Sequence, residues 1–75
     1  MTNPWGLPPS EVRAICAIRT TGTVKGAARE LGLSTKTIDE QMARTRRRMG
    51  TRSTLSAVLA FDRWEREARK AGETV

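Results

Sequence analysis

Apolar residues recur in this chain at helical spacing in four runs, separated by short polar breaks rich in glycine and hydroxyl side chains. Val12, Ile15, Cys16 and Ile18 form the first run, and Thr20, Thr21 and Gly22 stop it. Val24, Ala27, Ala28 and Leu31 form the second, behind Thr23 as a capping residue, and the small Ala27 and Ala28 would let another helix approach closely. Gly32 then stands where a left-handed residue ends a helix, with Leu33 as an apolar anchor and Ser34 as the next cap. In the third run Ile38, Met42 and Met49 share an inner face with Thr45 between them, and Gly50 closes it. A fourth helix is predicted to start near residues 51–53. The pattern contains no alternating apolar and polar stretch, so the expected fold is all-α with four helices.

The ends of the chain read differently. Residues 1–9 hold three prolines and a glycine, which predicts an extended arm reaching the first helix at about Ser10, an N-cap with Glu11 in the first turn. On the fourth helix Leu55, Val58 and Leu59 are expected to close the core. A second stripe, Ala57, Phe61, Trp64, Ala68 and Ala71, runs past what so small a core can bury. It predicts a symmetric homodimer through Ala57, Phe61, Trp64 and Ala68; the other outcome is that Phe61 and Trp64 fold back onto Trp5 and Leu7. The domain organisation expected is an arm over 1–9, one domain over 10–71 and a frayed end over 72–75.

Length and composition narrow the function. Seventy-five residues allow one small core and no enclosed catalytic pocket. The chain has no histidine and one cysteine, so neither a disulfide nor a cysteine or histidine zinc site can be built within it; no metal, cofactor or small-molecule ligand is expected. Cys16, inside an apolar run, reads as a small buried hydrophobe. Asp39 and Glu40 are adjacent on a helix and diverge, so an enzyme is not expected either. No stretch is long and apolar enough for a bilayer, and residues 1–6 do not resemble a signal peptide, which predicts a cytoplasmic, nucleoid-associated protein.

The net charge of +6 is unevenly placed. Residues 25–52 carry eight Lys/Arg against Glu30, Asp39 and Glu40, whereas residues 1–24 hold +1 and residues 53–75 are balanced. The outer face of the third helix gathers Lys36, Glu40, Arg44, Arg47 and Arg48. A cationic helix of this build predicts a polyanion partner, because neutralising phosphates releases condensed counterions.

The ordered set Lys25-Gly26-Ala27-Ala28, Leu31-Gly32-Leu33-Ser34, Thr37-Ile38-Asp39-Glu40-Gln41-Met42 and Arg48-Met49-Gly50, then Ala57-Val58 and Ala60, resembles the LuxR/GerE-type helix-turn-helix DNA-binding domain without gaps from Leu7 to Ala60. The resemblance implies that the third helix, about residues 34–48, is a recognition helix in the major groove of double-stranded DNA. It also implies that the long fourth helix makes a dimer, and that the chain is a stand-alone bacterial or phage transcriptional regulator, with no receiver or inducer domain before it. The sequence departs from the family at Asp39, where a lysine is usual, and at Gln41, Thr45 and Thr54. On the residues' own chemistry, Lys36 and Arg44 are the candidates for base edges, Arg47 for a base or phosphate, and Glu40 for a cytosine amino group or a pair with Arg44. Ser34, Thr35 and Thr37 at the helix start, with Thr23 and Lys25 one helix earlier, are candidates for phosphate. Arg48 is a further DNA candidate. Asp39 and Glu40 also favour a rival: a small adaptor that grips a host transcription protein through the Phe61/Trp64 stripe and binds DNA weakly or not at all.

Overall fold

A computed structural model describes residues 3–73 of the chain. They fold as α1 (Pro9–Thr21), α2 (Val24–Leu31), α3 (Thr35–Met49) and α4 (Thr54–Glu73), with no strand among the described residues. Helix α1 touches the other three and so lies at the centre; α3 also packs on α2 and α4, while α2 and α4 do not meet. The 20 residues of α4 span about 30 Å at ~1.5 Å per residue. They contribute to an elongated body of 41 × 23 × 19 Å.

Local chemistry sets most of the helix ends. Thr23 accepts a hydrogen bond from the Gly26 amide at 2.9 Å, and Ser34 accepts one from the Thr37 amide at 3.1 Å. Ser53 does the same for Ser56 at 3.0 Å. Each satisfies one of the amides that a helix start leaves open. At the other ends Gly32 and Gly50 adopt φ of 68° and 69°, and the next amides, Leu33 and Thr51, bond back to Ala28 and Arg46. Ser10 is not the first cap, contrary to the sequence expectation. Helix α1 begins at Pro9, with Pro8 in the capping position and no side-chain cap. A proline at the first helical position brings a suitable φ and has no amide to satisfy, so it displaces the hydroxyl as the start signal.

The core is formed by Ala14, Ile15, Ala17 and Ile18 of α1, Ala27 and Ala28 of α2, Ile38 and Met42 of α3, and Ala57 and Phe61 of α4, with Leu7 closing one end. Of the α4 residues expected to close the core, Val58 packs against it, but Leu55 and Leu59 do not. Leu55 and Leu59 are 68% and 59% exposed, whereas Ala57 and Phe61 are 0% and 2% exposed.

The arm is not extended. Its Asn3 side chain accepts from the Leu7 amide at 2.8 Å and donates to the Leu7 carbonyl at 3.2 Å, closing a turn. That turn sets Trp5 against Phe61 and Trp64, with ring centroids 6.3 and 5.9 Å away. The stripe that looked too long for the core is therefore capped by the chain's own N-terminal segment. At the C-terminal end, where fraying is expected over 72–75, Gly72 and Glu73 are the last residues of α4, and residues 74 and 75 lie outside the described part.

Candidate nucleic-acid interface

Helix α3 has two dissimilar sides. Ile38, Met42 and Thr45 are buried, while Thr35, Lys36, Asp39, Glu40, Arg44, Arg47 and Arg48 are exposed. Thr23 and Lys25, at the start of α2, are exposed as well. At the α3 start the Ser34 hydroxyl serves the cap and also lies 2.9 Å from the half-buried Thr37 hydroxyl, so both are already engaged within the helix end. Arg46, on the flank, donates to the Thr54 hydroxyl at 2.9 Å and ties α3 to the start of α4.

Beneath the cationic face sits an acid. Glu11 of α1 is 2% exposed. Its Oε1 accepts a hydrogen bond from the Thr45 hydroxyl at 3.1 Å, and that hydroxyl is also within bonding distance of the Gln41 carbonyl, at 2.9 Å. The Arg48 Nε lies 3.3 Å from Oε1 and the Arg44 Nε 3.7 Å from Oε2. The two arginines are one helical turn apart and lean on the same carboxylate while remaining about half exposed. Arg44 thus pairs with Glu11 and not, as weighed from the sequence, with Glu40. Neither Asp39 nor Glu40 forms an ion pair among the described residues. Arg44, Arg47 and Arg48 together line an open depression of about 270 Å³.

Glu11 is the residue of this face that the sequence alone does not place. As a first-turn acid it has a sufficient local explanation in the helix dipole. Its partners are 33 to 37 residues away along the chain, so only the crossing of α1 and α3 brings them together.

The other end of the molecule has a different character. Arg19 of α1 pairs with Asp62 at 3.2 Å and Glu65 at 2.9 Å, and its guanidinium stands 5.7 Å from the Phe61 ring centre. Burial works against its charge, but hydrogen bonding to Glu65 and the nearby anionic groups outweigh this and raise its pKa. Burial also pushes the neighbouring Cys16 thiol up; Arg19 opposes the shift and Glu65 adds to it. That fits a packed, unreactive thiol. Among the described residues no cluster of His, Cys, Asp and Glu could hold a metal.

Two of the four residues expected at a dimer interface, Ala57 and Phe61, are buried within their own chain and face no second copy; Trp64 and Ala68 are half-buried. The same burial takes Phe61 away from an adaptor surface. What α4 offers outward is Leu55 and Leu59, beside an open groove lined by Trp5, Ala60, Arg63, Trp64 and Glu67. No helix among the described residues is long and apolar enough to cross a membrane. No protein-family model matches the chain, and no curated protein or solved structure matches it. The LuxR/GerE resemblance accordingly rests on the residues that carry it.

Proposed function

We propose that this protein is a double-stranded-DNA-binding transcriptional regulator of helix-turn-helix type, nucleoid-associated in the cytoplasm, with α3 laid in the major groove. The observation that carries this reading is the face of α3, where exposed Lys36, Arg44, Arg47 and Arg48 stand on one rigid helix against a packed core. A major groove about 12 Å wide admits one helix with its side chains. The 15 residues of α3 cover about 22 Å along it. The free amides at the starts of α2 and α3, with Thr23, Lys25, Ser34, Thr35 and Thr37 nearby, suit flanking phosphates. Lys36 is left to reach base edges, and Glu40, exposed and without an ion pair among the described residues, can accept from a cytosine amino group. The regulator acts as a homodimer, and the surface that fits a second copy is Leu55 and Leu59 with the adjoining groove, in place of Ala57 and Phe61.

Sedimentation of the protein with a labelled duplex at stepped salt tests both parts. Affinity should fall by about three to four decades per decade of salt if four phosphates are neutralised, and the complex should hold two copies. Salt-insensitive or absent binding would remove the DNA reading, and one copy per duplex with monomer in the free protein would remove the dimer.

A further inference from the structure

We propose that Glu11 is a positioning residue for DNA phosphate: it aligns Arg44 and Arg48 into a preset clamp that, with Arg47, holds one backbone phosphate. The inference rests on the DNA-binding reading and assigns roles inside that site. In both arginines the atom nearest the carboxylate is Nε, the guanidinium nitrogen closest to the chain. The outer edge of each guanidinium, with its pair of Nη groups, is left to a ligand. An arginine fork meets phosphate oxygens through that edge.

The carboxylate itself cannot drift. It is buried, and the Thr45 hydroxyl holds it from α3 at 3.1 Å. The acid therefore gives both long side chains one common anchor, which narrows the rotamer freedom they would lose on binding. Arg47, in the last turn of α3, completes the third wall of the depression without an ion pair of its own among the described residues. The depression is open to solvent, so a backbone phosphate can approach all three arginines from outside.

This reassigns Arg44. Leaning back on Glu11, it holds the backbone and leaves base reading to Lys36 and Glu40. Charge counting alone makes the opposite prediction for the decisive variant. Glu11→Gln removes a negative charge beneath the interface, so a purely Coulombic face binds DNA more tightly, whereas a preset clamp binds more weakly.

The experiment is fluorescence anisotropy of a labelled random-sequence duplex with wild type, Glu11→Gln, Arg44→Lys and Arg48→Lys, each checked for folding by circular dichroism. Weaker binding of Glu11→Gln by about three- to tenfold is expected, the value of ordering one or two side chains. A similar loss is expected for each lysine variant, which keeps the charge, sits on the exposed face and lacks the fork. The losses should be equal across unrelated duplex sequences. Unchanged or tighter binding by Glu11→Gln, or full affinity in both lysine variants, overturns the clamp while leaving DNA binding intact. If Glu11→Gln does not fold, the two lysine variants decide. Wild type showing no salt-sensitive binding removes the DNA reading itself, an outcome distinct from either.

Discussion

Thr45 shows how one hydroxyl can matter more than two charges. Removing a carboxylate from water is costly unless hydrogen bonds replace the lost solvation. The arginines beside Glu11 are about half exposed, so solvent screens their attraction and each pair is worth little. The fully buried Thr45 hydroxyl lies within the core, away from solvent, where its single hydrogen is shared between Glu11 Oε1 at 3.1 Å and the Gln41 carbonyl at 2.9 Å. Thr45→Val keeps the shape and deletes the donor. It should destabilise the fold by about 1–3 kcal/mol, read as a lower urea midpoint at unchanged slope; a midpoint equal to wild type would mean that the arginines alone satisfy the acid. An apolar side chain at this position would leave Glu11 one partner short.

The helices divide into what local chemistry decides and what only packing decides. The caps at Thr23, Ser34, Gly32 and Gly50 were legible because each depends on residues within one turn of itself. The inward face of α4 was not. Its two apolar stripes, Leu55 with Leu59 and Ala57 with Phe61, lie on nearly opposite faces, and periodicity ranks neither. The choice is made by α1 and by Trp5, whose ring covers Phe61 and Trp64 once Asn3 has folded the arm back. The candidate DNA face was legible as exposed cations on α3, but Glu11 was not, because its partners belong to another helix. A packing constraint of the same kind governs Gly26 in α2. A helix usually gains by Gly→Ala, about 1 kcal/mol. Here an added Cβ would lie 2.8 Å from the Thr21 Cβ and 2.9 Å from the capping Thr23 hydroxyl. Gly26→Ala should therefore lower stability by about 1–3 kcal/mol, the usual cost of overpacking, and thermal unfolding checks it; a higher midpoint would show that the corner between α1 and α2 relaxes freely.

Across the whole molecule, the excess positive charge and the exposed leucines of α4 are separated in space. The excess of positive charge belongs to residues 25–52, on α2 and α3, while the balanced α4 carries the exposed leucines on another part of the surface. A second copy docked through Leu55 and Leu59 would leave both α3 faces free. Two-fold symmetry would then set them on half-sites about one helical turn of DNA apart, roughly 34–36 Å. All of this depends on α3 being the element that meets the duplex. Amide chemical shifts of the labelled protein titrated with a short duplex at low salt test that directly. The account predicts the largest changes across residues 34–48 and at Thr23 and Lys25, with added salt reversing them. Shifts confined to α4 and the N-terminal turn, with α3 unmoved while duplex is bound, would contradict it.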